Sequence, residues 1–293
     1  MQEKWHSWFD YRWGAWLFAT CVACGWFRDR HDEFDAAAIH ADRWLLMGIL
    51  FASITPTLWS ALRHDVVCTS QQIRNPRATW SKHVHALLSH SFVACILVAS
   101  YGRVWNFADI GFRTESPLSW TILLGLLCYS PLNLAQTLLG KFCYPAEDSA
   151  QELFQRVWIG YFLPRGRIAQ LLQVFETAVL GPIHEEIVYR GFFVYMLGNL
   201  SGYPALGVLV GLVLCITVHL YQGYWGIPYH VLFFAAVVVI MYSPAGLLTA
   251  IVMHVTNNLQ HAFTLPAYAK EYLSERRQAR CRKRSETNTL KQT

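Results

Sequence analysis

Charged residues are scarce in this chain: Asp, Glu, Lys and Arg make up 15% of its 293 residues, whereas hydrophobic residues make up 54%. Ordinary soluble domains carry about 25% charged residues, so this composition argues against that class. The apolar residues form runs of about 17–20, the length that a helix needs to cross the hydrocarbon core of a bilayer. We therefore predict an all-α fold, a polytopic membrane helix bundle of about eight transmembrane helices.

The eight apolar runs are the predicted spans. They cover residues 13–27, 44–61, 84–101, 119–138, 168–197, 204–222, 228–242 and 245–263. The fifth run contains Gly181-Pro182, where we expect the helix to break or bend because proline removes a backbone hydrogen bond. Between the third and fourth runs, residues 107–112 are expected to turn the chain back towards the membrane. No internal repeat is visible, which weighs against a transporter built from inverted repeats.

Cysteine pairs with metal-ligand spacing are also nearly absent. Cys21 and Cys24 form a CxxC inside an apolar run, and no second pair follows, so a zinc or redox function for them is disfavoured. The first apolar run is followed by Arg28-Asp-Arg30 rather than by a small-residue cleavage site. We therefore do not expect a cleavable signal peptide.

The loops differ in their content of Lys and Arg. With eight spans, the side that holds both termini carries 18 of these residues and the opposite side carries five. Six of the 18 lie at positions 276–284 of a basic C-terminal tail. The positive-inside rule therefore predicts an integral, multi-pass membrane protein with both termini in the cytoplasm, and a tail near anionic headgroups rather than bound to nucleic acid.

Ionisable residues occur where the sequence is most apolar. Glu185, Glu186 and Arg190 lie inside the fifth run, although one charged side chain at a bilayer centre costs about 2.5–3.5 kcal/mol on insertion scales. Glu186 and Arg190 are four residues apart with the acid first, so they can pair on one helix face. Glu185 points about 100° away around the helix axis and is available for another role.

Further polar residues follow on later runs. His219 ends the sixth run, His230 begins the seventh, and the eighth contains His254 and Asn258 on one helix face, with His261 further on. Each alone is most simply a hydrogen bond between helices. If they converge with the glutamates, they line one polar cavity, which is seldom only structural.

Such a cavity suits hydrolysis. A carboxylate and a neutral imidazole can hold a water and take its proton as it attacks a carbonyl, and Glu185 is the preferred base. Glu186 is expected to pair with Arg190, while His254 and Asn258 can donate hydrogen bonds to the oxyanion of a tetrahedral intermediate. No Ser or Cys stands out as a nucleophile with a base at helical spacing.

The pattern Glu185-Glu186-x-x-x-Arg190, then His219, then His254-x-x-x-Asn258 resembles the CPBP family of intramembrane proteases, which includes the CAAX prenyl endopeptidases. The resemblance covers about residues 165–263. It implies a division into N-terminal transmembrane helices (1–164), CPBP-like catalytic helices (165–263) and a basic tail (264–293).

The resemblance also implies roles for these residues. Glu185 and His219 would activate the water, His254 and Asn258 would form the oxyanion site, and Arg190 would brace the glutamates. The sequence departs from the family at Cys215, where Phe is common, and at Tyr189, where Phe precedes the motif arginine.

A metal site and other functions stay open. Two Glu and two His could supply ligands for zinc, but HExxH is absent and Asn is a poor zinc ligand, so we expect no cofactor.

The expected partners are the lipid bilayer and a membrane-associated peptide or protein substrate, prenylated or not. The alternative is a non-catalytic membrane protein that binds and regulates a partner membrane protein, with its polar cluster closed by mutual hydrogen bonds. A transporter with a protonatable carboxylate is the third candidate.

Overall fold

The computed structural model of this chain describes residues 36–62, 76–112, 117–143, 167–220 and 226–263, together with Thr20 and Gly25. These residues form seven helices and no strand, in agreement with the predicted all-α class. The remainder of the first predicted span and the basic tail lie outside the described residues.

The seven helices coincide with the second to eighth apolar runs. In chain order they are α1 (Ala36–Leu62), α2 (Pro76–Ser100), α3 (Leu118–Cys143), α4 (167–201), α5 (Pro204–His219), α6 (Ile227–Tyr242) and α7 (246–263). Apolar run length therefore predicts where these helices lie.

Two of the described helices are long and apolar enough to cross a membrane, Ala36–Thr55 within α1 and Leu118–Leu139 within α3. Only 28% and 22% of these stretches are buried, so most of their apolar surface faces outward. By contrast, α5 and α6 have 16 residues each. Among the described helices there are thus two candidate spans, and the predicted number of eight is not confirmed.

Helix α4 is continuous, and α-helical and π-helical turns alternate along it. Its segments are Arg167–Phe175 (α), Glu176–Leu180 (π), Gly181–Glu185 (α), Glu186–Met196 (π) and Leu197–Ser201 (α). Both glutamates of the motif therefore lie where the helix changes its hydrogen-bond register. Such π-helical turns are rare and are frequent at functional sites.

The helix does not break at Gly181-Pro182, and the alternative of a bend there stays a prediction. Gly181 keeps right-handed helical angles (φ −57°, ψ −57°), and its N–H bonds to the carbonyl of Glu176, five residues back. The N–H that Pro182 lacks falls at the change of register, where one carbonyl is left without its helical donor. The helix can therefore pass through the proline.

Helix α5 approaches α4 closely through its glycines. A Cβ atom at Gly207 would overlap the carbonyl oxygen of Val194, and one at Gly211 would overlap the Val194 side chain. Small residues allow helix backbones to come together in this way inside membranes. This contact fixes where the end of α5, and with it His219, lies relative to α4.

The segment after α2 makes the predicted turn. It forms a short 3₁₀ helix, Phe107–Ile110, capped by Asn106 and ended by Gly111 at a φ of 83°. The carbonyl of Gly111 accepts a 2.9 Å hydrogen bond from the backbone N–H of Leu247, near the start of α7. The turn thus anchors the first turn of the helix that carries His254 and Asn258.

Candidate functional site

Glu186 is the buried centre of the site. Its side chain is completely shielded from solvent, and its Oε1 atom lies 2.6 Å from Nδ1 of His254 and 3.3 Å from NH1 of Arg190. The first contact joins α4 to α7, and the second confirms the pairing predicted from the four-residue spacing. A buried carboxylate with two basic partners is held firmly, because removal of either partner would leave uncompensated charge.

Arg190 is enclosed on its other sides as well. Its NH2 group donates to the sulfur of Cys215 at 3.4 Å, and its guanidinium lies 5.4 Å from the ring centre of Phe234. A guanidinium over an aromatic face is stabilised by the ring electrons. Cys215 therefore supplies a hydrogen-bond acceptor to the arginine at the position where the resembling family often has Phe.

The ring of His219 is oriented by its own helix. Its Nδ1 lies 2.7 Å from the carbonyl oxygen of Cys215, and a carbonyl can only accept, so Nδ1 carries the proton. In the neutral ring, Nε2 then has the lone pair. The opposite face of this ring stacks on His230 of α6, with ring centres 4.1 Å apart.

Glu185 differs from its neighbour. Its Oε2 atom is sealed from solvent and has no hydrogen-bond partner among the described residues. Its negative charge nevertheless acts on the side chains of His219 and Arg190. The two adjacent glutamates therefore occupy unlike environments, one anchored by two basic groups and one unanchored beside a histidine.

Asn258 is tied to the first π-helical turn of α4. Its Nδ2 donates to the carbonyl oxygen of Thr177 at 2.9 Å, and its Oδ1 accepts from Nδ2 of Asn257 at 3.1 Å. In the π-helical register, the donor to Thr177 would be the N–H five residues later, at Pro182, which has none. Asn258 thus satisfies the carbonyl that the proline leaves open.

The predicted residues come together in three connected groups. Glu186, Arg190 and His254 are in direct contact, His219 stacks on His230, and Asn258 is bonded to α4 about two turns before His184 and Glu185. Glu185 is brought near His219 and Arg190 without a hydrogen bond to either. His261 is also nearby, with its Nε2 atom 3.4 Å from the hydroxyl of Tyr229.

Sequence reasoning missed two histidines beside this site. His184 directly precedes Glu185, and its ring packs edge-on against that of His90 in α2, with ring centres 4.5 Å apart. His230, to which the sequence analysis gave no role of its own, stacks on His219. The sequence could have indicated His184, because it directly precedes Glu185. It gives no such signal for His90, whose position in the chain bears no regular spacing to the glutamates.

Metal-ligand geometry is a separate question. Within the described residues, no group of three or more His, Cys, Asp or Glu side chains is arranged to hold a metal ion. Glu186 and His254 instead use facing atoms to bind each other. The absence of a cofactor stays a prediction, and no catalytic step below depends on a metal.

Comparison with known proteins gives one match. Residues 167–260 match the family model of type II CAAX prenyl endopeptidase Rce1-like proteins, and all six predicted site residues lie inside this range. Neither curated proteins nor solved structures give a match to the chain. Over residues 167–260, about a third of its length, the chain is therefore similar to Rce1-like type II CAAX prenyl endopeptidases, a family embedded in membranes.

Proposed function

We propose that this chain is an intramembrane endopeptidase that hydrolyses a peptide bond of a membrane-associated peptide or protein. The carrying observation is the contrast between Glu185 and Glu186. Both have a sealed Oε2 atom without a hydrogen-bond partner, but only Glu186 is fixed through Oε1, by Arg190 and His254. A carboxylate held unpaired beside a fixed charge pair suits a general base. The Rce1-like match supports a protease of the CAAX type.

In the proposed reaction, Glu185 and His219 activate the hydrolytic water. Because Nδ1 of His219 donates to the Cys215 carbonyl, Nε2 of the neutral ring can accept a hydrogen bond from that water. Glu185 takes one proton as the water oxygen bonds to the carbonyl carbon. The same proton is then delivered to the leaving nitrogen as the carbon–nitrogen bond breaks.

His254 and Asn258 are the proposed donors to the oxyanion. Since Nδ1 of His254 is engaged by Glu186, its hydrogen bond to the oxyanion comes from Nε2 of the imidazolium form. The amide of Asn258 has a second N–H besides the one given to Thr177, and a single oxyanion donor is worth about 2.7–4 kcal/mol in characterised proteases.

The remaining features follow the same proposal. Glu186 and Arg190 brace α4 and hold His254 in place. The chain is an integral, multi-pass protein with both termini in the cytoplasm, supported by the two candidate spans and by the loop charges. The reaction is of the glutamate type, without metal.

The alternative is a non-catalytic membrane protein that binds and regulates a partner membrane protein. It is favoured by the mutual contacts of Glu186, Arg190 and His254, which close that part of the cluster. It gives no reason for the unpaired oxygen of Glu185. A cleavage assay separates the two functions.

The test is peptide cleavage by the full chain in liposomes, read by mass spectrometry. The substrates are one peptide ending in a CAAX sequence, supplied with and without a farnesyl group, and the assays run with and without a chelator. We expect wild type to release the last three residues and His219→Leu to lose this activity. His40→Leu, at an exposed position on α1, is the matched control.

Three results would change the proposal. Absence of product from either peptide, together with loss of a co-purifying membrane protein in Glu185→Ala, would favour the binding function. Equal cleavage by wild type and His219→Leu would remove His219 from the reaction. Loss of activity with the chelator, restored by zinc, would replace the metal-free mechanism.

A further inference from the structure

Two histidines that lie outside the proposed machinery meet beside Glu185. His184 is on α4, one residue before it, and His90 comes from α2. Their rings are in edge-to-face contact, with centres 4.5 Å apart and planes 65° apart. Because α2 precedes the Rce1-like segment, this contact brings a residue from the N-terminal helices to the proposed site.

The polar atoms at this contact have no partners. Nδ1 of His90, Nε2 of His184 and Oε2 of Glu185 are all sealed from solvent and lack hydrogen bonds within the described residues. Burial of a polar atom without a hydrogen bond is unfavourable, and most buried polar groups in proteins are satisfied. The three side chains neighbour one another, His184 and Glu185 along the chain and His90 across the contact between α2 and α4, and a small polar group among them would satisfy these atoms.

The charges around His90 agree with this assignment. The side chains of Glu176 and Glu185 both lie close enough to interact with the ring of His90, which in turn contacts His184. Glu176 and Gln173, nine and twelve residues before Glu185, are themselves buried. The contact therefore lies within a polar layer that runs along α4 towards Glu185, with α2 covering it.

We propose that His90 and His184 position Glu185 by holding its Oε2 atom through a bound water, which leaves Oε1 for the hydrolytic water. A buried water in a protein makes about three hydrogen bonds to otherwise unsatisfied groups, and these three atoms supply that number. The inference rests on the proposed endopeptidase function. It adds a positioning residue from α2, outside the six motif residues.

The test separates a polar role of His90 from a packing role. His90→Phe keeps a ring against His184 but removes the nitrogen atoms, whereas His90→Gln keeps a polar group that can bond a water. His40→Phe, on the exposed face of α1, is the control. All are made in the full chain, checked for thermal unfolding in detergent, and assayed for kcat and KM on the peptide that wild type cleaves.

We expect His90→Phe to lower kcat by 10- to 100-fold with KM unchanged, since a misplaced catalytic group costs up to about 100-fold. His90→Gln should recover most of that loss, and His40→Phe should match wild type. If His90→Phe cleaves as fast as wild type, or if His90→Gln and His90→Phe are equally impaired, the positioning role is wrong while the protease function stands. If wild type cleaves neither peptide, the proposed function fails and the inference fails with it.

Discussion

Nδ1 of His254 lies 2.6 Å from Oε1 of Glu186, although 68 residues separate the two in the chain. This contact joins the last described helix to the middle of α4 inside the protein. The same oxygen also faces Arg190 at 3.3 Å. One oxygen of Glu186 thus contacts both His254, a proposed oxyanion donor, and Arg190, the proposed brace of α4.

Glu186→Gln should destabilise the protein severely. Loss of the carboxylate leaves the guanidinium of Arg190 buried and uncompensated, which costs about 3–5 kcal/mol in comparable buried pairs. Unfolding in mixed detergent micelles, followed by circular dichroism, measures the change. The double variant Glu186→Gln/Arg190→Met should be more stable than Glu186→Gln alone. If its loss in free energy of unfolding equals the sum of the losses in the two single variants, the pair is not coupled.

Glu185→Gln should separate activity from stability. Its Oε2 atom has no hydrogen bond to lose, so the free energy of unfolding should fall far less than in Glu186→Gln. Peptide cleavage should fall by about 10²–10⁴-fold, the usual contribution of a general base. Cleavage that survives in Glu185→Gln would assign the base to another residue.

Asn258→Leu should cost stability as well as activity. It leaves the carbonyl of Thr177 without its donor, and an unsatisfied buried carbonyl costs about 1–3 kcal/mol. Pro182→Ala in the same chain restores a backbone N–H at the register change and should recover part of that stability. If Asn258→Leu/Pro182→Ala regains stability but not cleavage, the hydrogen bond of Asn258 to the backbone is separate from its role as oxyanion donor. If it regains no stability, Asn258 does not have the proposed backbone role.

Gly207→Ala should disturb the contact between α4 and α5. The added Cβ would overlap the Val194 carbonyl oxygen, a backbone atom that cannot rotate away. Both unfolding stability and cleavage should fall, because α5 carries His219. Gly48→Ala on α1 is the control, since a Cβ there meets nothing within 4 Å and alanine favours helix by about 1 kcal/mol. Equal behaviour of the two variants would show that the close approach is unimportant.

Much of this arrangement could be predicted from local spacing. Apolar run length predicts the positions of all seven described helices, and the four-residue spacing predicts the contact of Glu186 with Arg190. Glutamate and histidine inside apolar runs indicate where function lies, because such residues are costly in a membrane. These signals depend on neighbours in the chain, which a sequence displays directly.

The remainder depends on contacts between distant segments and on helix register. The bond from Asn258 to Thr177 arises from a π-helical turn that ends at Leu180, just before Pro182, and spacing rules for an ordinary α-helix do not describe it. His90 approaches His184 only because α2 packs along α4. The expected break at Gly181-Pro182 failed for the same reason, since a proline at a change of register does not require the helix to end.

The shortness of α5 and α6 has a consequence for the bilayer itself. A helix of 16 residues rises about 24 Å, whereas the hydrocarbon core is about 30 Å thick. In the proposed multi-pass topology, the bilayer next to these short helices would thin and its headgroups would come inward. His219 ends one of these helices and His230 begins the other. The local thinning of the bilayer would therefore bring interfacial water close to the two stacked imidazoles.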